Sequence, residues 1–251
     1  MSAEAPPVPS QWDANASFWM QIIRERRDRY RTELTDLAVL DAIGPASGLA
    51  MLDAGCGEGY LSRALARAGA TLSAIDSSTN MVAAARARSR SDDLPITFEI
   101  GSVYDLPYAN DAFDVVVCNH LLNDLQEPTK PITEFARVLR SGGRLIILML
   151  HPCFYDKHAE SNQATNGLMA SSYFNVRRIE QKFVVDGMTS PVPNTAWFRP
   201  LEYYTAALGR SSFVITALSE PHPTAEKMRS DIWWRKGFSR PLFLLISAEL
   251  R

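Results

Sequence analysis

Cysteine is scarce in this chain, and that scarcity removes two classes of protein at once. The three cysteines, Cys56, Cys118 and Cys153, are odd in number and have neither CxxC spacing nor a nearby pair of histidines. Neither a disulfide framework nor a zinc site is indicated, and a reducing, cytoplasmic setting is expected. A basic excess is also missing: 26 lysines and arginines stand against 28 acidic residues, for a formal net charge of -2. With no basic excess to neutralise phosphates, nucleic acid is an unfavoured partner. No apolar run approaches the roughly 18 residues a membrane span needs, and the N-terminus has no basic segment leading into an apolar one, so no membrane association is expected. Repeats are absent, and the short proline-rich stretch from Pro6 to Pro9 reads as part of a mobile tail over residues 1–11.

What remains is enough for one large domain: 251 residues, 46% of them hydrophobic. From Ala14 to about Ile43, apolar residues recur at helical spacing among many arginines, predicting an N-terminal helical cap over 12–44. From Leu49 short apolar runs alternate with helical segments, the rhythm of a parallel sheet covered on both faces. Strands are expected at Leu49–Ala54, Thr71–Asp76, Ile96–Ile100, Phe113–Cys118 and Arg144–Leu150. Helices are expected near Gly59–Ala68, Ser78–Arg90 and Lys130–Leu139, the last closed by the Gly142-Gly143 turn. The rhythm stops at His151. Residues 151–200 read as an insertion covering the active site, with an Asp186-Gly187 hairpin signal. Residues 201–251 then return to a helix (Leu201–Leu208) and two strands (Ser212–Leu218 and Leu242–Leu250), separated by a second insertion. The fold class is a doubly wound α/β core of residues 49–150, completed by a terminal strand hairpin.

The strongest local signal is Leu52-Asp53-Ala54-Gly55-Cys56-Gly57-Glu58-Gly59, placed where the first strand turns into the first core helix. Glycines allow a tight turn and close approach of backbone to a ligand, and a helix N-terminus offers free amides. Asp53 distinguishes this loop from one that faces a pyrophosphate, because a carboxylate there suits a cation such as the ammonium of a methionine moiety. Asp76, ending the second strand, is placed to accept the two ribose hydroxyls of an adenosyl group, a role shared with nicotinamide-binding domains.

In these segments, and in AIDSSTNM (74–81), GSVYDLPY (101–108), FDVVVCNHLLND (113–124), RVLRSGGRLIIL (137–148), HPCF (151–154), FRPLEYYTAAL (198–208) and RPLFLLISAEL (240–250), the chain resembles the class I S-adenosylmethionine-dependent methyltransferases. The likeness is to the small-molecule branch related to quinone-type C-methyltransferases. It implies a Rossmann-like seven-stranded sheet, mostly parallel with a terminal antiparallel strand, carrying N-terminal helices and a lid insertion. It also implies S-adenosyl-L-methionine as cofactor and a small-molecule acceptor, and leaves homo-oligomerisation open. Carried over by position, Asp53, Ala54, Gly55 and Gly57 would line the methionine end of the cofactor, and Asp76 the ribose. Ser77 and Met81 would flank the adenine, with Ser102 and Val103 at its edge. Asn119 and the backbone to Leu121 would lie beside the sulfonium. The family commonly has an aspartate at the position of Ser102. The arginine-rich stretch RERRDRYR (24–31) resembles a leading helix that closes over the cofactor, with Trp19, Tyr30 and Arg31 as candidates and Arg31 able to fork onto the cofactor carboxylate; a solvated charged face is the plain alternative.

Methyl transfer needs alignment, exclusion of water and, for a protic acceptor, loss of a proton. No metal is expected. His120 and His151 fall just beyond strand ends, where ligands gather in open α/β sheets, and have the right chemistry for a general base. His151 is preferred because it opens the covering insertion, although a hydrogen-bonded structural histidine is the ordinary alternative. The family often has a histidine before the Arg-Pro pair where this chain has Phe198, which implies a more apolar acceptor pocket. Aromatic residues of the insertions (Phe154, Tyr155, Tyr173, Phe174, Trp197, Phe198, Trp233, Trp234) are candidates for its walls or for packing of the lid. Oxygen or nitrogen methylation is preferred, with carbon methylation of an activated ring next. A nicotinamide-dependent oxidoreductase and a non-catalytic cofactor-binding protein stay open.

Overall fold

In the computed structural model, residues 8–155 and 170–251 are described. Helix α1 (Val8–Arg24) leads into a π-helical turn (Arg31–Thr35) continuous with α2 (Asp36–Ile43). The core then follows as β1 (Ala50–Ala54), α3 (Tyr60–Arg67), β2 (Thr71–Asp76), α4 (Thr79–Ser91), β3 (Thr97–Ile100), β4 (Phe113–Asn119), α5 (Thr129–Val138) and β5 (Leu139–Leu150). The first insertion contributes α6 (Ala170–Tyr173), β6 (Arg177–Gln181), β7 (Val184–Val185), β8 (Met188–Thr189) and β9 (Asn194–Phe198). The chain closes with α7 (Leu201–Arg210), β10 (Phe213–Ser219), α8 (Ala225–Ser230), α9 (Ile232–Gly237) and β11 (Phe243–Leu250).

Seven strands form one sheet in the order β10-β11-β5-β4-β1-β2-β3. The pairings β1–β2, β1–β4, β2–β3 and β4–β5 are parallel, and β11 runs antiparallel to both its neighbours. Alternate residues of the central strands feed two cores. Leu52, Ala54, Val116 and Cys118 pack with Ile132 and Phe135 of α5 and Tyr204 and Leu208 of α7. Met51, Val115 and Val117 pack on the opposite face with Val39 and Ile43 of α2 and Leu61 and Leu65 of α3. Burial on both faces explains why these strands read as continuous apolar runs.

Strand order reverses between β1 and β4, so a crevice opens at their carboxyl ends. The insertion closes over it. Its β6 and β9 pair antiparallel, and β7 and β8 form a hairpin whose turn, Asp186-Gly187, has both φ angles positive (47° and 76°), as a two-residue turn of this kind requires. Asn15 of α1 bonds both the carbonyl and the amide of Val192, and Trp12 packs on Phe183 with ring centroids 6.2 Å apart, tying this hairpin region to the first helix.

Three details differ from expectation. Helix α1 starts at Val8, ahead of the predicted onset at Trp12; the remainder of the predicted tail, residues 1–7, lies outside the described residues. The arginine-rich stretch is a break between helices rather than one helix, since α1 stops at Arg24 and residues 25–28 are not helical. The pair Gly142-Gly143 lies within β5, at a register shift where Leu139 opposes Phe113 but Arg144 opposes Val115. Gly142 takes φ +75° there, so the glycines serve a strand irregularity rather than a helix stop.

Candidate functional site

One cavity of about 1730 Å³ runs between the carboxyl ends of the sheet, the first helix, the insertion hairpin and the α8–α9 segment. Ordinary ligand pockets span roughly 300–1000 Å³, so this space has room for two molecules side by side.

The glycine loop forms its floor. Gly57 adopts φ +54°, and a Cβ built there meets nothing within 4 Å among the described residues, so its face is open to the cavity. Its N–H donates to Asp76 Oδ2 at 2.8 Å, and Ser78 N–H donates to Oδ1 at 2.8 Å. Burial raises the Asp76 carboxyl above its usual range, and these amides oppose that rise. Asp53 is 1% exposed and accepts from Ser62 Oγ at 2.5 Å; burial pushes its pKa up to about 6, against the Ser62 hydrogen bond. A buried Arg63–Glu58 pair, in which Arg63 Nη2 donates to both carboxylate oxygens at 2.9 Å, pins the loop to α3. A carboxyl pushed up by burial regains its charge readily when a cation is placed beside it.

Beside the loop stands Arg31, 8% exposed, with its guanidinium carbon 4.0 Å from the centre of the Tyr60 ring. Its Nε and Nη1 find no hydrogen-bond partner among the described residues. Tyr60 donates to Asp36 and accepts from Asn119 Nδ2 at 2.8 Å, and Asn119 Oδ1 is likewise buried without a partner. Unsatisfied buried donors and acceptors on a cavity wall are what a polar ligand would satisfy.

Of the predicted residues, Trp19, Tyr30, Arg31, Asp53, Gly55, Gly57, Asp76, Ser77, Met81, Ser102, Val103, Asn119, His120 and Leu121 all line this cavity. Ala54 is fully buried within β1 and is not among the lining residues. Tyr30 also docks the C-terminal segment: its hydroxyl donates to the Gly237 carbonyl at 2.8 Å and its ring packs against Trp233. His120 has φ +57°, and burial, with Arg31 nearby, lowers its pKa to about 4, leaving it neutral near pH 7.

His151 is placed elsewhere. It is 3% exposed and is not among the described residues that line the cavity. Its Nδ1 accepts the Cys153 N–H at 3.1 Å, which puts the proton on Nε2, 2.8 Å from Glu220 Oε1. With both ring nitrogens engaged, the residue knots the start of the insertion to the loop after β10. Phe198 does not line the cavity either: fully buried, it stacks at 5.1 Å on Tyr155, which does. Of the aromatic candidates, Tyr155 and Trp233 reach the cavity, while Tyr173 receives the Leu201 N–H and serves packing.

The far wall contains residues the sequence reading did not name: Trp12, Asn123, Asp124 and Asn194. Asp124 is 7% exposed; burial raises its pKa to about 8, against hydrogen bonds from Asn194 and Trp12. Asn194 Nδ2 donates to Asp124 Oδ1 at 3.1 Å, while Asn194 Oδ1 and Asn123 Nδ2 have no partner among the described residues. The signal for this cluster was present: a polar Asn-Asp pair interrupts the apolar run from Leu121 to Leu125 directly after a core strand.

Comparison with known proteins gives the same picture of the core. Residues 52–147 match the methyltransferase domain family. The chain is 37% identical over 115 residues to a demethylmenaquinone methyltransferase of Clavibacter sepedonicus, covering 46% of each protein. It is 36% identical over 106 residues to a ubiquinone biosynthesis O-methyltransferase of Xanthomonas oryzae pv. oryzae, covering 42% of this chain and 44% of that one. The aligned part spans less than half the length of these relatives. Among solved structures, an S-adenosylmethionine-dependent methyltransferase from Mesorhizobium loti superposes with a TM-score of 0.69 at 26% identity, over 85% of this chain and 96% of that one.

Proposed function

We propose that this chain, whose residues 52–147 match the methyltransferase domain family and whose fold superposes on an S-adenosylmethionine-dependent methyltransferase, transfers the methyl group of S-adenosylmethionine to an oxygen or nitrogen of a small molecule bound beneath the insertion. The observation that carries this reading is one cavity with two unlike walls. The glycine loop with Asp53, Asp76 and Arg31 forms one, and the Asn123–Asp124–Asn194 cluster with Trp12 and Trp19 forms the other.

On the first wall the free Nε and Nη1 of Arg31 suit a carboxylate, buried Asp53 suits an ammonium, and Asp76, held by two amides, suits vicinal hydroxyls. Ser77 and Met81 would flank the adenine, and Ser102 and Val103 would meet its edge. When bound, S-adenosylmethionine supplies a methyl carbon made electrophilic by positive sulfur. The residues of the second wall orient the acceptor and exclude water, which is most of what displacement at such a carbon needs. Amide and carboxyl groups on that wall favour an acceptor with a proton to give. Carbon methylation of a flat ring is the second reading, favoured by the aromatic surfaces of Trp12, Trp19 and Phe183 along the same cavity.

Isothermal calorimetry tests the reading. S-adenosylmethionine and S-adenosylhomocysteine should both bind, and nicotinamide dinucleotides should not. Binding of a dinucleotide with neither sulfur nucleoside would overturn it.

A further inference from the structure

We propose that Asp124 is the residue that takes the proton of the acceptor, with Asn194 and Trp12 holding its carboxyl in position. The inference rests on the methyltransferase reading and extends it to the acceptor wall.

Position comes first. Asp124 ends the short 3-10 turn Leu122–Asp124 that follows β4, at the carboxyl end of the sheet where the order reverses. The same loop lies on the cofactor floor, because a Cβ at Gly55 would come within 3.0 Å of the Leu121 side chain. Asp124 therefore projects into the cavity from a segment in contact with the glycine loop, and both it and the loop line that cavity. A base that serves methyl transfer must lie within hydrogen-bond reach of a nucleophile itself only about 3–3.5 Å from the carbon.

The surroundings suit a proton acceptor. From β9, Asn194 donates to Oδ1; from α1, Trp12 donates as well; from β5, the Leu150 N–H donates to Asn123 Oδ1, while the Asn123 amide nitrogen has no partner among the described residues. The Asp76 carboxyl acts on Asp124 through space and adds to the effect of burial. Arg199, from the end of β9, spends its guanidinium on the carbonyls of Leu125 and Gln126 and does not pair with the carboxyl. Burial thus leaves the carboxyl with a pKa near that of a working base at neutral pH. The orphaned Asn194 Oδ1 and Asn123 Nδ2 supply one acceptor and one donor beside it, a pattern that fits a hydroxyl or amine with a polar neighbour on the same molecule. In the step, the lone pair on the acceptor's oxygen or nitrogen forms the bond to carbon. The carbon–sulfur bond breaks with its electrons kept by sulfur, and the acceptor's proton passes to the Asp124 carboxylate and then to water.

The test needs no acceptor. S-adenosylmethionine and S-adenosylhomocysteine differ in the sulfonium charge and the methyl group, so the Asp124 contribution is the part of their difference in proton release that is lost in Asp124→Asn. Calorimetry of each nucleoside in buffers of different ionisation enthalpy, across neutral to mildly alkaline pH, measures that difference. A positive sulfonium near Asp124 should expel additional protons with S-adenosylmethionine, with the excess peaking somewhat below pH 8 and vanishing in Asp124→Asn. In Asn194→Leu, which keeps the carboxyl but removes a hydrogen bond that lowers its pKa, the excess should move to higher pH. Equal release by the two nucleosides in the natural protein, an undiminished excess in Asp124→Asn, or an unmoved profile in Asn194→Leu would each overturn the proposal while leaving the cofactor assignment intact. Failure of both nucleosides to bind would instead remove the methyltransferase reading itself.

Discussion

The two walls of the cavity are built by opposite means. The wall proposed for the cofactor draws on one stretch, Asp53 to Leu121, joined by Arg31, and the ties within that stretch are local in sequence. Asp76 holds the amides of Gly57 and Ser78, Ser62 holds Asp53, and Arg63 holds Glu58. The acceptor wall is assembled from segments far apart in sequence. Asn194 reaches Asp124 at 3.1 Å, Trp12 donates to the same carboxyl, and Asn15 reaches Val192. Backbone-anchored carboxylates on strand ends give a fixed binding frame, whereas side chains that bridge insertions can be exchanged without disturbing the sheet. A fold of this kind keeps its donor and changes its acceptor.

The sharpest way to break the comparison is to fill the cofactor wall alone. Gly57→Val places a branched side chain in space that is open in the free protein. Strain at φ +54° costs about 1–2 kcal/mol, so the melting temperature should fall by only a few degrees. Binding of both sulfur nucleosides should disappear in calorimetry. Retained affinity in a folded variant would mean that the loop is only a turn.

His151 tests the other side, since it joins the insertion to the sheet without lining the cavity. His151→Ala should cost about 1–3 kcal/mol of stability, because the Cys153 N–H and Glu220 lose their partner, while cofactor affinity and methyl-transfer rate stay within a few fold. The pH dependence has a definite sign. Burial depresses the His151 pKa below the unfolded value of roughly 6.5, so its contribution is present above that pH and is lost as pH falls toward the folded value. The natural protein should therefore lose more stability on acidification than the alanine variant, as thermal melts across that range would record. A collapse in single-turnover rate at unchanged stability would restore the histidine as a base.

That contrast also explains what could be read from the amino-acid sequence. Strands β1, β2 and β4 fall within a residue or so of expectation because both faces are buried, and the resulting apolar runs are unmistakable. Asp53, Gly57 and Asp76 were legible as residues of the cavity lining because each sits at a fixed offset from a strand end. His151 was misleading for the same reason: the end of β5 is where ligands gather, but the fold turns this ring toward Glu220, a partner 69 residues away that no local pattern announces. Asn194 and Trp12 were invisible because their significance depends on β9 and α1 meeting beside Asp124. The arginine run was expected to be helical from its resemblance to a leading helix, yet the chain breaks there and Arg27 and Arg29 pair with Asp186 and Asp231.

The smallest expected effect concerns the rim of the cofactor wall. Ser102 is exposed at the cavity edge, and its Oγ accepts the Tyr104 N–H at 3.2 Å. An aspartate can keep that local hydrogen bond, as such side chains do in turns, while presenting a charged acceptor to the adenine amino group. The gain is limited, because Asp53 and Asp76 already place negative charge in the same cavity and the rim is open to solvent, where charge interactions are weak. Ser102→Asp should therefore tighten both sulfur nucleosides by about 1 kcal/mol or less, a few fold in affinity. The change should be equal for the two, because the adenine lies far from the sulfur, and turnover at saturating cofactor should not move. A tightening confined to S-adenosylmethionine would mean that the new charge is felt at the sulfonium instead, and would move the adenine edge away from Ser102.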